Sequence, residues 1–502
     1  IIFGHAKDGN LHFVVTQSFN EATEVDRYDR FMRAVVELVV KKYDGALKAE
    51  HGTGRNMAPF VETEWGGDAY AIMKRIKQIV DPHNLLNPGV IINDDANAHI
   101  KNLKELPSVE EEVDRCIECG YCEHRCPSRD LTTTPRRRIV IRRELQRLQK
   151  SGDAATHKLL RNQFQYDVLD TCAVDGLCAN ACPVDINTGD LVKRLRSENH
   201  SPFANKIALW VAKNFSFVES VFKLVLSLRL NKLHPNKLVR SIPSPPSLPS
   251  RLKDNNSSSI VYFPSCVSRL MANGEKNKKN LVDTFISVCR KSGIVAIIPS
   301  NIKGSCCSQI FSSKGFTDAY RFKANDIVDR LFASSRSGEL TIVTDVSSCA
   351  YSLLKLRPSL TDANKAKYDR LKIQDSVGFL HDTVLPSLQH INRKNNVVLH
   401  PVCSLEKMGT TQKFIRVASA FSHSVTVPKN AGCCGMAGDR GFLHHELTAS
   451  ATSYEAAEVK KQPYEGYYSS TKTCEMALSD AVGAQYESIL YLADECMDAG
   501  PA

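Results

Sequence analysis

The chain has 502 residues, 42% apolar and 24% charged, a globular balance that excludes wholesale disorder. At roughly 150 residues per domain it implies about three domains. No run of about 18 uninterrupted apolar residues occurs, which argues against a transmembrane helix. The net charge of +10 suits acidic substrates, anionic lipid or nucleic acid and alone decides nothing.

The chain opens at Ile1 in IIFGHAKDGNLHF, already patterned as strand, turn and strand. It therefore reads as a piece of a longer protein whose N-terminal part, with any targeting segment, lies upstream. Residues 1–100 read as α+β: Ile1–Gly4 and Leu11–Thr16 as strands about the Asp8-Gly9-Asn10 turn, and 22–43 as a helix capped at Gly45. A second helix, Asp68–Val80, ends at Asp81-Pro82.

All 17 cysteines lie from Cys116 onward, an odd, clustered set with no signal peptide. That pattern indicates metal or redox chemistry rather than a secreted disulfide framework. Residues 105–200 hold seven of them between helical patterns, and Pro135 suits the start of the helix TPRRRIVIRRELQRL. Cys116-x2-Cys119-x2-Cys122-x3-Cys126-Pro127 is the two-cluster ferredoxin run, whose fourth cysteine serves the other cluster. Cys172-x5-Cys178-x3-Cys182-Pro183 is the same run with Asp175 where the second cysteine would stand. Crossed pairing assigns cluster A to Cys116, Cys119, Cys122 and Cys182, and cluster B to Cys126, Cys172 and Cys178. Asp175 is then either an oxygen ligand or a turn residue before Gly176. Two [4Fe–4S] clusters are expected, B alternatively being [3Fe–4S]. Zinc, the simpler ligand reading, fits the paired runs poorly. Such wiring calls for a flavin that takes a hydride and releases electrons singly.

Residues 201–230 carry an apolar helical face (Phe203, Ile207, Trp210, Val218, Phe222, Val225) among basic residues. A break at Asn214-Phe215-Ser216 favours two helices packed on the ferredoxin module over one rod lying on a membrane. The Pro- and Ser-rich stretch 241–259 reads as a linker, and 260–500 alternates strands (Ile260–Phe263, Val295–Ile298, Leu340–Thr344, Val397–His400) with helices. This last region repeats: Cys266, Cys306-Cys307 and Cys349 recur in order as Cys403, Cys433-Cys434 and Cys474. Cys289 and Cys496 lie on helical patterns and read as buried apolar residues.

The first 95 residues supply the flavin connection. GHAKDGNLH (4–12), EHGTGR (50–55) and DPHNLLNPG (81–89) resemble the C-terminal half of a vanillyl-alcohol-oxidase-type FAD-linked oxidase domain, as in D-lactate, D-2-hydroxyglutarate and glycolate dehydrogenases. With the ferredoxin module, CCGMAGDRG (433–441) and TCEMALSDAVG (473–483), the whole chain resembles the fused FAD/iron–sulfur D-lactate dehydrogenase family. The Cys-Cys units are similar to those of heterodisulfide reductase and glycolate oxidase iron–sulfur subunits. The resemblance implies a divalent metal, Zn²⁺ or Mn²⁺, on His5, His12 and Glu50, with His51 accepting the substrate hydroxyl proton and Asn87 near the flavin. Val14, where larger substrates meet a polar residue, leans toward D-lactate. The dinucleotide-binding half of the flavin domain is not in this sequence, so the piece alone is expected to be inactive.

The cysteine-rich units depart from the full pattern. Val346 and Thr471 replace the first cysteine of the closing CxxC, and Ser308 follows Cys306-Cys307 where the second unit has Gly435. Four thiols per unit remain for a non-cubane iron–sulfur cluster, a dithiol or a structural role.

The fold expected is a multidomain α+β and α/β chain: an FAD-linked oxidase C-terminal domain (1–100), a helical two-cluster ferredoxin module (105–200), a helical segment and linker (201–258) and two cysteine-rich units (259–392 and 393–502). The function expected is oxidation of a D-2-hydroxy acid, with electrons passing from FAD through the clusters to a quinone, cytochrome or other acceptor. An electron-transfer subunit without its own catalysis is the alternative. The location expected is cytoplasmic or peripheral on the inner membrane, mitochondrial in a eukaryote. Nucleic-acid binding through Arg136, Arg137, Arg138, Arg142, Arg143 and Arg147 is disfavoured, because no aromatics interleave and such arginines usually line a solvated helix face.

Overall fold

A computed structural model describes residues 2–13, 17–48, 51–104, 106–247, 259–273, 278–388 and 390–497. Val14, Glu50 and linker residues 248–258 lie outside the described residues. The chain divides into two compact units, residues 1–109 with 146–151, and residues 110–145 with 152–502.

In the first unit, β1 (Ile2–His5) and β2 (Asn10–Phe13) form an antiparallel hairpin that sets His5 opposite Asn10 and Phe3 opposite His12. The tight connection depends on Gly9, whose φ of 67° is left-handed. The helix Ala22–Val36 opens on a reciprocal capping box between Glu21 and Glu24 and continues as a π-helical turn over Glu37–Lys42. Asp44, with φ 48°, takes the left-handed turn expected of Gly45. The helix Gly67–Val80 ends where Asp81 accepts the Leu85 and Leu86 amides at 2.9 and 2.8 Å, which folds the DPHNLLNPG segment.

In the second unit the duplication is structural. Strands β3 (Ile260–Phe263), β4 (Ala296–Ile297), β5 (Thr341–Thr344) and β6 (Ile373–Asp375) form a parallel sheet of order β4-β3-β5-β6. Strands β7 (Lys394–Leu399), β8 (Ser422–Thr426), β9 (Gly466–Ser469) and β10 (Tyr486–Ser488) form a parallel sheet of order β10-β9-β7-β8. Matching β3 to β7 maps each neighbour onto its counterpart. β3 is buried along its whole length, as expected of a parallel strand covered on both faces. One buried core, including Tyr262, Phe285, Val377, Val397, Phe414 and Leu490, runs through both repeats. The Ser347 amide donates to the Ser470 carbonyl at 3.0 Å, joining corresponding strand ends. Cys289 and Cys496 are buried, as expected.

The segment 201–230 is two helices, Pro202–Lys213 and Phe215–Ser227, broken at Asn214. Its packing differs from expectation. The buried stripe is Ala208, Ala212 and Phe215, and it packs on Cys306, Phe311 and Ala319 of the first cysteine-rich unit rather than on the ferredoxin module. Phe203, Ile207, Trp210 and Phe222 are exposed. Glu219, which interrupts the apolar pattern, is itself buried in an ion pair with Arg269 at 2.9 Å. No helix among the described residues is long and apolar enough to cross a membrane.

Candidate redox and hydroxy-acid sites

In the first unit three imidazoles meet at the hairpin. The His5 and His12 rings lie 5.8 Å apart edge to face, and those of His12 and His51 5.3 Å apart. His12 projects from β2, and His51 opens a turn that passes through Gly52 and Gly54, both with positive φ. Imidazole nitrogens are donors of the kind that divalent ions of the zinc type accept. Asn87 sits at φ 44° in the segment folded by Asp81. A hydrogen bond from Lys77, joined by the two backbone amides, holds the Asp81 carboxyl down at about 2.

In the second unit the two ferredoxin runs interleave. Cys116, Cys122 and Cys182 lie close enough for their charges to act on one another. Burial is the largest influence on the first two, and it pushes Cys122 up to about 11. Cys119, on the same loop, is exposed. Cys126 groups instead with Cys172, Cys178 and Asp175 around a small cavity. Burial, followed by the Asp175 charge, raises Cys178 to about 12. Iron would have to displace these thiol protons on binding. Backbone amides already aim at the sulfurs, Glu118 N at Cys116 and Val174 N at Cys172, each at 3.4 Å. Asp175 serves the turn, accepting the Leu177 amide at 2.8 Å, while its charge also acts on Cys126 and Cys178.

The arginine run corrects the sequence reading. Arg138 and Arg143 are buried, not solvated. Arg138 donates to Ser128 Oγ at 2.6 Å and to the Thr133 carbonyl at 2.9 Å, and it faces Cys126, Cys172 and Cys178. Arg143 holds the Cys116 carbonyl at 3.1 Å and the Glu118 carboxylate at 2.6 Å. Arg196, from the helix Thr188–Asn199, donates to the Cys172 carbonyl at 2.8 Å. These inward cations offset the negative charge that thiolates and clusters bring to a buried site.

In both cysteine-rich units the thiols gather at the carboxyl ends of parallel strands, where doubly wound sheets place their sites. Cys266 opens the helix after β3 and Cys403 the helix after β7. Cys266, Cys306, Cys307 and Cys349 form a chain of thiol contacts. In the second unit Cys433 contacts Cys403, and the Cys434 and Cys474 sulfurs are 2.9 Å apart. Ser308 takes φ 72° where its counterpart Gly435 has φ 75°, so the Cys-Cys turn is kept despite the substitution. Cys433 also packs with Ala173 and Leu177 beside the second ferredoxin run, and the Asp175 charge reaches it.

Sequence reasoning missed His400 and Glu455. His400 Nδ1 lies 2.9 Å from both Glu455 carboxylate oxygens, and both residues are buried. Burial opposes the imidazolium, but the Glu455 carboxylate overrides it and raises His400 to about 10. A hydrogen bond from Cys474 and the facing imidazole draw Cys434 down to about 6 against its burial. The available signal was the short spacing of His400 ahead of Cys403.

Three family models match the chain in order: FAD linked oxidases, C-terminal domain, over 1–91; a 4Fe-4S dicluster domain over 112–186; and a Cysteine-rich domain over 260–354 and 397–479. Together they place an FAD-linked oxidase C-terminal domain, a 4Fe-4S dicluster domain and two cysteine-rich repeats in one chain. The chain is 22% identical to D-2-hydroxyglutarate dehydrogenase of Pseudomonas putida over 553 aligned positions, covering 93% of this chain and 52% of that protein. It is 34% identical over 98 residues to glycolate oxidase subunit GlcD of Bacillus subtilis, covering 20% of this chain and 21% of that one. It is 35% identical over 94 residues to the mitochondrial D-lactate dehydrogenase [cytochrome] of Arabidopsis thaliana, covering 18% and 16%. The chain thus spans about half the length of the Pseudomonas putida relative, about a fifth of the Bacillus subtilis one and about a sixth of the Arabidopsis thaliana one.

Proposed function

We propose that this chain belongs to a dehydrogenase that oxidises a D-2-hydroxy acid, D-lactate foremost, and carries the electrons through two iron–sulfur clusters. D-2-hydroxyglutarate and glycolate are the competing substrates. The observation that carries the reading is the meeting of His5, His12 and His51 at one hairpin edge, on a chain that also holds two interleaved ferredoxin runs. FAD, when bound, supplies a two-electron acceptor that releases electrons singly. A divalent ion on His5, His12 and Glu50 would grip the substrate carboxylate and hydroxyl and lower the hydroxyl pKa. His51 accepts the hydroxyl proton at a ring nitrogen, and Asn87 lies on the flavin side of the substrate. Clusters A and B take Cys116, Cys119, Cys122 and Cys182, and Cys126, Cys172 and Cys178.

The acceptor side rests on a separate observation. An apolar cavity of about 420 Å³ is bounded by Val211, Phe215, Phe222, Met271, Cys306 and Cys349, and Trp210 and Phe203, on the same helix as Val211, are exposed. This favours a lipophilic quinone reached by peripheral contact with the inner membrane over a soluble cytochrome.

The test is anaerobic mixing of the complete flavoprotein with D-lactate, D-2-hydroxyglutarate or glycolate, following flavin bleaching and then cluster reduction. The reading expects D-lactate to bleach the flavin fastest and His51→Asn to slow bleaching at least 100-fold with flavin content intact. Full-rate bleaching in His51→Asn, or none with any of the three acids, would refute it.

A further inference from the structure

The second cysteine-rich unit holds a group of donors distinct from the ferredoxin thiols and from the hydroxy-acid site. One ring nitrogen of His400 and the sulfurs of Cys434 and Cys474 all lie within 4.8 Å of one another, and all three residues are buried. Glu455 engages Nδ1, so Nε2 is the nitrogen left for a ligand, and it is buried without a hydrogen-bond partner. A buried imidazole nitrogen costs free energy unless a partner takes it up, and the groups nearest to it are the Cys434 and Cys474 thiols. A carboxylate on one imidazole nitrogen, with the other directed at thiols, is the arrangement by which proteins orient a metal-bound histidine.

The geometry points to a single zinc ion bound by His400 Nε2, Cys434 and Cys474, with Glu455 as the positioning residue. A tetrahedral zinc with bonds of about 2.0–2.3 Å separates its donors by about 3.5–4 Å. The 2.9 Å between Cys434 and Cys474 would therefore open by about 1 Å on binding. Both thiols lose their protons, and two thiolates balance the ion's charge. The duplication supplies an internal comparison. His400 stands three residues before Cys403, and the position three before Cys266 is Phe263, buried and apolar. The first unit repeats the four thiols without the imidazole, so the inference assigns zinc to the second unit alone. It does not depend on the hydroxy-acid reading.

The experiment measures zinc and iron in the 502-residue chain purified anaerobically from zinc-supplemented culture, then replaces zinc by Co²⁺ to read sulfur-to-cobalt bands. About one zinc per chain is expected, lost in Cys434→Ser and in His400→Phe, with iron unchanged. Glu455→Gln should weaken zinc binding about 10–100-fold while leaving the sulfur-to-cobalt bands in place at saturation. Should His400→Phe not fold, Cys474→Ser replaces it, with the same loss expected. Wild-type chain that takes up neither zinc nor cobalt would overturn the assignment. Full zinc in His400→Phe, or loss of iron rather than zinc in these variants, would also overturn it.

Discussion

Removing the Glu219 carboxylate should loosen the loop that carries Cys306 and Cys307. Glu219 accepts Arg269 Nη2 at 2.9 Å and Nε at 3.2 Å, and the Gly304 amide at 2.8 Å. Arg269 also donates to the Pro264 and Ser305 carbonyls, at 2.7 and 2.8 Å. The pair therefore ties the helix Phe215–Ser227 to the strand end before Cys266 and to the loop entering Cys306. Burial opposes the charge on Glu219, but the Arg269 hydrogen bonds hold its carboxyl below the usual range. Deleting one partner of a buried pair costs about 3–5 kcal/mol, because the other charge stays buried and unpaired. At about 1.4 kcal/mol per decade, amide exchange across residues 302–306 should accelerate roughly 100- to 5000-fold in Glu219→Ala. Replacing both partners by apolar residues, Glu219→Leu with Arg269→Met, removes the unpaired charge and should recover most of that loss. Hydrogen exchange read by mass spectrometry decides the matter. Unchanged exchange in Glu219→Ala, or a double variant worse than the single one, would refute the reasoning.

Ser308→Gly should stabilise the first cysteine-rich unit by about 1 kcal/mol in thermal unfolding, since it relieves a left-handed serine whose buried hydroxyl lacks a partner. Gly435→Ala should destabilise the second unit, because φ is 75° and a Cβ there would lie 3.1 Å from the Leu447 carbonyl. A stabilising Gly435→Ala would contradict the shared turn geometry. Asp81 is lowered from an ordinary 3.8 to about 2, so its stabilisation of the 81–89 turn is complete above pH 4 and fades as pH falls through 2. Exchange at Leu85 and Leu86, corrected for the intrinsic rate, should rise over that window in wild type. Asp81→Asn should remove the pH dependence.

The metal-ligand spacing was legible because it is local: one loop must present several thiolates to one cluster, so the motif sits in consecutive residues. The duplication was legible for a related reason, since Cys266 and Cys403 each follow a buried strand and the downstream Cys-Cys pairs repeat in order. Strands β6, β8, β9 and β10 were not read from sequence; they are short, and β8 carries His423 and Ser424 exposed. The inward turn of Arg138 and Arg143 was hidden because their partners, Ser128, Cys116 and Glu118, lie on a different loop. From the sequence, His400 reads as the last residue of a strand. Its role depends on Glu455, 55 positions along the chain, and no local pattern records that pairing. The exposure of Trp210 was hidden too, since an apolar stripe does not say which of two faces the fold will cover.

If the ferredoxin runs cross, Cys126 serves the Cys172–Cys178 cluster. Iron and acid-labile sulfide counted in paired variants test it most directly. About eight irons are expected in the reconstituted chain and about four in Cys126→Ser. The double variant Cys126→Ser/Cys178→Ser should keep those same four irons, since both changes strike one cluster. Cys126→Ser/Cys119→Ser should lose nearly all iron. The reverse pattern, with iron retained in the Cys119 double variant and lost in the Cys178 one, would show that the runs do not cross.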